Sequence, residues 1–225
     1  MNKVIDHTHR AYKQKWQSAG GNRFNGALYY SREIVKNIIP NVDTERPWVT
    51  VNIRPHCEDH AIVFIHNNKR TDRYEWLKDF KDLILVCGIP ETCEKVSHLG
   101  KAVYLPLSID VDYVSQFRLP DDKRSGVAYV GRRAKRRWKD VHVPEGVDVI
   151  ENLDRPILLR KMARYQSVYA VGRTAIEAKV LGCEVLPYDE RYPDPSVWTV
   201  VDNAEATKML QKILDDIDGK GEKNT

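Results

Sequence analysis

The stretch Tyr169-Ala-Val-Gly172-Arg-Thr-Ala-Ile-Glu177-Ala-Lys-Val-Leu-Gly-Cys-Glu-Val-Leu-Pro187 decides the fold that the sequence predicts. It begins as an apolar strand end, passes through a turn of small residues, opens a helix at Thr174 and ends in a second strand, 184–186. A strand, a glycine-containing turn and a helix N-terminus bring free backbone N–H groups and the positive end of the helix dipole to one point. This arrangement suits phosphate, although similar turns also occur in α/β proteins that bind nothing there.

Three side chains at the start of this predicted helix are candidates for ligand contact. Glu177 lies about one turn into the helix, so its carboxylate is placed near the same mouth. Arg173 and Thr174 stand at the helix start, where the Thr174 hydroxyl either caps the helix or holds a phosphate. A carboxylate beside a phosphate site accepts hydrogen bonds from a ribose diol. The stretch therefore predicts binding of a nucleotide or a nucleotide-linked group.

Composition narrows the class of protein. The chain has 225 residues, of which 42% are hydrophobic and 30% charged, and its formal net charge is +4. No apolar run approaches the roughly 18 residues that span a bilayer, and the polar, basic start lacks the apolar segment of a secretory signal. The cysteines show no Cys-x-x-Cys spacing, which favours reduced thiols over disulfides or zinc ligands. We therefore expect a cytoplasmic protein that does not enter a membrane.

Predicted strands and helices alternate along the chain. Strands are expected at 48–53, 61–65, 83–87, 101–105, 126–131, 147–150, 167–171 and 184–186, and helices at 28–39, 74–80, 90–99, 156–164, 174–181 and 204–217. Several strands are apolar throughout, which is typical of a parallel sheet covered on both faces. The polar segment 118–125 is interpreted as a linker. We expect an α/β protein of two Rossmann-like domains facing across a cleft, 1–118 and 119–217, with a disordered tail, 218–225.

The second half resembles the donor-binding domain of GT-B glycosyltransferases over residues 101–189. The matching segments are Tyr104-Leu-Pro-Leu-Ser-Ile-Asp110, Val127-Ala-Tyr-Val-Gly131-Arg132 followed by Lys135, Val147-Asp-Val-Ile150, the 158–163 helix and the 169–187 stretch. The resemblance implies a compact GT-B fold that transfers a sugar from a nucleotide-sugar donor, with a UDP-sugar as the expected donor. It implies no further cofactor, and the run from His56 to His60 fits no standard metal site.

The resemblance also assigns roles to individual donor-side residues. Negative charge builds on the leaving diphosphate, and the resemblance implies that Arg132 and Lys135 stabilise it, with Arg137 as a substitute for Lys135. The Gly20-Gly21 loop would let the backbone approach the donor phosphate. The alternative interpretations are a solvated run of charges at 132–139 and a flexible loop at the two glycines.

One position departs from the family pattern. Retaining members carry two glutamates around a glycine turn, and the second of them, which binds the donor ribose, is matched by Glu177. The first is replaced by Tyr169. This departure is compatible with an inverting enzyme, with a divergent donor or with lost activity.

The candidate base lies in the first half. His66 follows the predicted strand 61–65, at the edge of a parallel sheet where ligands bind. The family often has a histidine at a similar place that touches the transferred sugar, so His66 is a candidate base or hydrogen-bond donor. His56 and Asp59, in the preceding loop, are further candidates for the base of an inverting reaction. The alternative interpretation of His66 is a surface turn histidine.

The basic run 132–139 interleaves cations with an aromatic ring, as in nucleic-acid contacts. It favours a modified DNA base as the acceptor, flipped out of the stack and stacked on Phe24, Tyr29 or Trp138. A cell-envelope glycan and a small molecule are the other acceptors considered. Two further functions fit the fold: a non-catalytic module that binds a nucleotide or a partner, and a nucleotide-sugar epimerase or phosphorylase. An epimerase would turn over the donor without an acceptor.

Overall fold

The computed structural model describes residues 4–5, 30–31, 33–50, 57–66, 70–131, 143–190 and 192–219. These residues form an α/β protein with two parallel sheets, one of five strands and one of four. The chain divides into two compact units, each built around one of the sheets. The expected α/β class is therefore confirmed.

The sheet of the first unit places its strands side by side in chain order. They are β1 (Val4–Ile5), β2 (Trp48–Val49), β3 (Ile62–Ile65), β4 (Ile84–Cys87) and β5 (Lys101–Tyr104), and each pairs in parallel with the next. The helical segments between them are a π-helix (Ile34–Ile38) running into a 3-10 helix (Ile39–Asn41), a 3-10 helix (Thr71–Asp79), and α1 (Pro90–Val96) followed by a 3-10 turn (Ser97–Leu99).

Both faces of this sheet are covered, which explains why β3 and β4 are buried at every residue. Alternate residues of a strand point to opposite faces. Val63 and Ile65 join one cluster, which includes Leu77. On the other face Phe64 stacks on Trp48 with ring centroids 6.1 Å apart. The apolar strands thus formed the two-sided parallel sheet that their composition predicted.

Gly100 lies between the 3-10 turn that follows α1 and the start of β5, at a position with no space for a side chain. A Cβ at this position would stand 2.8 Å from the carbonyl oxygen of Leu83 and 3.0 Å from the Leu83 Cβ. The backbone has little freedom to yield, because the Lys101 N–H donates to that same carbonyl at 2.8 Å.

We therefore expect Gly100→Ala to lower the free energy of unfolding by about 1–3 kcal/mol, the usual cost of forcing extra atoms into a filled site. Urea denaturation measures the change. Replacing the exposed neighbour Lys101 with alanine is the control and should change stability by less than about 0.5 kcal/mol. Equal stability of the Gly100 variant and the parent would contradict the steric argument.

The second unit contains a parallel sheet whose strands lie in the order β7 (Asp148–Ile150), β6 (Val127–Val130), β8 (Ser167–Tyr169) and β9 (Glu184–Leu186). Its elements are α2 (Val111–Ser115), a 3-10 turn (Asp121–Lys123), β6 (Val127–Val130), β7 (Asp148–Ile150), α3 (Arg155–Met162), β8 (Ser167–Tyr169), α4 (Arg173–Val180), β9 (Glu184–Leu186) and a 3-10 turn (Pro195–Val197). The order is compatible with a Rossmann-like sheet.

The boundary between the two units differs from the one that the sequence predicts, which lies between residues 118 and 119. The second unit begins at Leu107, and segment 118–125 lies inside it instead of linking two halves. Arg124 explains this placement, because its guanidinium donates to the carbonyls of Leu181 and Gly182. The last helix, α5 (Asn203–Ile217), belongs to the first unit.

Part of the expected tail is also ordered. Asp218 follows α5, and its Oδ1 lies 2.9 Å from Nη2 of Arg46. The Arg46 side chain is largely buried and also pairs with Asp82 at 3.0 Å. Only residues 220–225 of the predicted tail lie outside the described part.

Candidate functional site

The second sheet reverses its strand order between β6 and β8. From β6 the chain crosses to β7 on one side, and from β8 it crosses to β9 on the other. In open parallel sheets ligands bind beyond the carboxyl ends of the strands, at the point where the order reverses. The described strands of the first sheet lie in chain order and show no reversal. The carboxyl ends of β6 and β8 are therefore the candidate site.

The turn after β8 opens α4 at this point. Gly172 is the N-cap, with φ 63° and ψ −139°, a conformation open to glycine and strained for other residues. The helix begins at Arg173, so Thr174 is its second residue and not its cap as one interpretation held. The Gly172 carbonyl accepts the N–H groups of Ala175 and Ile176, at 3.0 and 3.2 Å. No described residue pairs with the Thr174 N–H, which lies at the positive end of the helix.

A buried ion cluster lies under this helix start. Glu177 is fully buried, and its Oε1 lies 2.9 Å from Nη2 of Arg155 and 3.5 Å from Nη2 of Arg173. The two arginine side chains are 4% and 5% exposed. Two guanidinium groups and one carboxylate give these three groups a net charge of +1, in surroundings where water screens charge poorly. The positive end of the α4 dipole, directly above this cluster, favours an anion at the mouth of α4.

Arg155 is a member of this cluster that the sequence analysis did not predict as a site residue. It is the first residue of α3, and its guanidinium lies over the Tyr113 ring of α2, 5.3 Å from the ring centroid. A cation in the first turn of a helix opposes the helix dipole. Arg155 and Arg173 are both first residues of their helices, and this unfavourable position is the signal in the sequence that could have marked each of them.

The observed position of the Glu177 carboxylate differs from the one that the sequence predicts. The sequence indicated a carboxylate at the mouth, open to a ribose diol. Instead, the side chain is fully buried and orients two arginines. A ribose hydroxyl would reach it only if the cluster opened. Positioning Arg155 and Arg173 is the role that the contacts support.

An aromatic group lies beside the same switch point. The Tyr188 hydroxyl occupies the space that a Cβ would take at Gly131, the residue after β6. Tyr188 stacks on the buried Tyr129 with centroids 4.9 Å apart and meets Tyr192 edge-on at 5.1 Å. Burial raises the pKa of the Tyr188 phenol, so it stays neutral. Gly131, part of the resemblance, is thus required sterically.

Several predicted site residues lie outside the described part of the chain. These are Gly20, Gly21, His56, Arg132, Lys135 and Arg137, together with the stacking candidates Phe24, Tyr29 and Trp138. Their assigned roles stay predictions. The described candidates are Asp59, His66, Arg173, Thr174 and Glu177, of which the last three come together at α4.

His66 lies in the first unit, directly after β3 and at the carboxyl edge of that sheet. Its Nε2 hydrogen-bonds with the carbonyl oxygen of Thr50 and lies 3.3 Å from the Ser31 Oγ. The Tyr30 ring meets it edge-on, with centroids 5.6 Å apart. Burial lowers the pKa of His66, although its hydrogen bond with the Thr50 carbonyl acts in the opposite direction. The imidazole is therefore neutral near neutral pH and able to accept a proton.

Asp59 is not brought to His66. It is exposed in the turn that precedes β3, where its Oδ1 accepts the Lys81 N–H at 2.8 Å. The four residues of β3 separate the two side chains, which at the usual rise per residue is roughly 13 Å. Asp59 therefore stabilises a turn at the amino edge of the sheet. Of these two candidates, His66 is the one that lies at the carboxyl edge.

The lowered pKa of His66 predicts a pH-dependent stability. An unfolded histidine takes up a proton near a pH of about 6.5, whereas folded His66 does so only at lower pH. Between these values the unfolded chain binds more protons, so the folded state loses stability as the pH falls below about 6.5.

Urea denaturation at about pH 7.5 and at about pH 5 tests this prediction. The change in the free energy of unfolding with pH follows the difference in bound protons between the unfolded and folded states. Wild-type protein should lose more stability between the two than His66→Gln, which cannot titrate. The comparison isolates His66 from acidic groups such as Asp82, whose pKa is lowered by its hydrogen bond with His60. Identical losses in the two proteins would contradict the prediction.

Three further observations concern metal binding, membrane spanning and the cysteines. They include no group of three or more His, Cys, Asp or Glu side chains placed to hold a metal ion. Within the same residues, no helix is long and apolar enough to span a bilayer. The four cysteines are free thiols, and burial raises the pKa of Cys57 to about 11.

The chain was compared with known proteins in three ways. No family model, no curated protein and no solved structure matches it. The resemblance to GT-B glycosyltransferases therefore rests on the segments quoted from residues 101–189 alone.

Proposed function

We propose that the chain is a glycosyltransferase that takes a sugar from a nucleotide-sugar donor. The second unit binds the donor diphosphate at the N-terminus of α4. One observation carries this proposal: the helix start, with its Gly172 turn, lies at the switch point of a parallel sheet above the Arg155–Glu177–Arg173 cluster. Diphosphate oxygens accept backbone N–H groups and are stabilised by the helix dipole and by positive charge.

This site suits the charge that develops during transfer. The bond between the anomeric carbon and the donor oxygen breaks, and its electron pair leaves with the diphosphate. The Thr174 N–H and hydroxyl would contact the leaving oxygens, and the positive end of the α4 dipole would stabilise their charge. Arg132 and Lys135, which follow β6 in sequence, are the proposed direct contacts.

The acceptor and its base complete the proposed reaction. An acceptor hydroxyl forms the new bond to the anomeric carbon and gives its proton to His66. We propose a compact GT-B arrangement, a UDP-sugar as donor and, as acceptor, a modified base of DNA that carries a hydroxyl group; the basic run 132–139 favours a DNA acceptor. A mobility-shift assay with duplex DNA at low salt tests the acceptor, and absence of any shift would exclude DNA.

Thr174→Glu tests the donor site with opposite effects on stability and binding. An acidic side chain in the first turn favours the helix by about 0.3–1 kcal/mol. The same carboxylate would repel a diphosphate from the mouth of α4. We therefore expect an unchanged or raised melting temperature, and at least about a tenfold loss of affinity for UDP, measured by calorimetry.

Ala204→Glu is the matched control. Ala204 is exposed and, like Thr174, is the second residue of its helix, α5. The control should gain similar helix stability and keep its UDP affinity. UDP binding that is equal in the Thr174 variant and the parent would place the phosphate elsewhere. Absence of binding to UDP, GDP and ADP in wild-type protein would overturn the proposal itself.

A second candidate function is a non-catalytic nucleotide-binding module. Tyr169 favours it, because this half-buried residue at the end of β8 stands where retaining enzymes carry a glutamate. Incubation of wild-type protein with UDP-glucose and acceptors distinguishes the candidates. Transfer supports the enzyme, binding without turnover supports the module, and conversion of the donor without an acceptor supports an epimerase.

A further inference from the structure

Three segments of the first unit place polar groups together at the carboxyl edge of its sheet. Ser31 comes from the helical segment before β2, Thr50 directly follows β2, and His66 directly follows β3. The Ser31 Oγ donates to the Thr50 carbonyl oxygen at 2.8 Å. Nε2 of His66 hydrogen-bonds with the same carbonyl and lies 3.3 Å from the Ser31 Oγ.

The direction of each proton follows from this arrangement. A carbonyl oxygen only accepts, so Nε2 of His66 must carry a hydrogen and donate it to Thr50. A neutral imidazole has one N–H, which leaves the lone pair on Nδ1. The Ser31 hydroxyl hydrogen also points to the Thr50 carbonyl. The Ser31–His66 contact is therefore not a nucleophile–base pair, in which the imidazole nitrogen would accept the serine proton.

We propose that Ser31 and the Thr50 carbonyl fix His66 as the Nε2–H tautomer and so make Nδ1 the nitrogen that takes the acceptor proton. This inference rests on the proposed function, in which His66 is the base. The acceptor hydroxyl gives its proton to the Nδ1 lone pair, and its oxygen forms the bond to the anomeric carbon. The resulting imidazolium keeps its Nε2–H on the Thr50 carbonyl, which stabilises the positive ring.

Ser31 is a positioning residue in this scheme. Its side chain is 1% exposed and Thr50 is 0% exposed, so neither is open to a substrate. The Ser31 hydroxyl donates to the carbonyl, and its own lone pair faces the Nε2–H. Tyr30 holds the ring from the side. The helical segment that carries Ser31 also contains one acidic residue, Glu33, whose side chain is buried.

Long-range ¹H–¹⁵N NMR of the uniformly ¹⁵N-labelled chain tests the tautomer directly. The chain has 7 histidines, and the resonances lost in His66→Gln identify His66. We expect a protonated, pyrrole-type Nε2 and an unprotonated, pyridine-type Nδ1 in the wild-type protein above neutral pH. A reversed pattern, or one averaged between the two tautomers, overturns the inference. The result does not depend on activity, so it separates this inference from the donor-site proposal.

Ser31→Ala then tests the part played by the hydroxyl. Loss of one hydrogen bond of ordinary strength corresponds to roughly 2- to 10-fold, so the Nδ1–H tautomer should become detectable. In transfer assays kcat should fall by the same factor with KM unchanged, and Ser31→Thr should restore both readouts. A Ser31→Ala spectrum identical to wild type assigns the tautomer to Thr50 alone and overturns the role of Ser31.

Discussion

Replacing Glu177 with glutamine is expected to lower the free energy of unfolding by about 3–5 kcal/mol, because it breaks a buried ion cluster from one side. The substitution keeps the size of the side chain and removes its charge. Arg155 and Arg173 would remain buried, each already at a helix start where the dipole disfavours a cation. Glu177 is fully buried, and breaking a buried ion pair from one side leaves the remaining charge poorly compensated in a site that water does not screen.

Urea denaturation at neutral pH measures this loss. Glu145→Gln is the matched control, since Glu145 is an exposed turn residue of the same unit and should change stability by less than about 0.5 kcal/mol. Adding Arg173→Met should recover part of the loss, because it removes one of the two positive charges around residue 177 at similar volume. A loss under about 1 kcal/mol in Glu177→Gln would mean that the cluster is solvated or relaxed in solution.

Thr174 is a better position than Glu177 for a substitution that tests the donor site. A Glu177 variant that binds no nucleotide would not distinguish loss of binding from loss of the fold around α4. Thr174 is half-buried at the mouth, and none of the ion pairs of the cluster involves it. Its substitution therefore reports on binding separately from stability.

Replacing His66 with glutamine is expected to lower the rate of sugar transfer by about 10²–10⁴, the usual contribution of a general base. The glutamine amide nitrogen can take the place of Nε2 and donate to the Thr50 carbonyl, so the contact at the carboxyl edge persists. The amide has no basic lone pair, so it cannot take the acceptor proton. Fold and donor affinity should be retained while transfer is lost.

Single-turnover transfer with UDP-glucose measures the effect, with the melting temperature and UDP affinity measured on the same samples. His98→Gln is the control, because His98 is 55% exposed in the same unit and pairs with Glu75 at 2.9 Å. The control should transfer at the parental rate. Transfer by His66→Gln at the rate of the parent would assign the base to another residue, and His56 would then be the next candidate.

Local sequence was sufficient for strands β2 to β9 and for two features of the site, whereas β1 and α2 were not among the predicted elements and the helix predicted at 74–80 is a 3-10 helix. Strands β3 and β4 follow from apolar runs that are too short for helices, and their two-sided burial follows from the same composition. The turn at Gly172 and the position of His66 after β3 also depend on neighbours in sequence. Such features are fixed by backbone geometry and by burial of nearby residues, so a short segment contains the information that determines them.

Contacts between distant residues were decided by the tertiary structure. Arg155 meets Glu177 because α3 and α4 flank β8 in the second sheet, and no pattern in either helix names its partner. Ser31 and Thr50 meet His66 because β2 pairs with β3. Asp59, seven positions from His66 in sequence, lies at the opposite edge because a strand runs between them. Strand order and direction set these distances, and they arise from the cooperative burial of the whole sheet, which no single segment specifies.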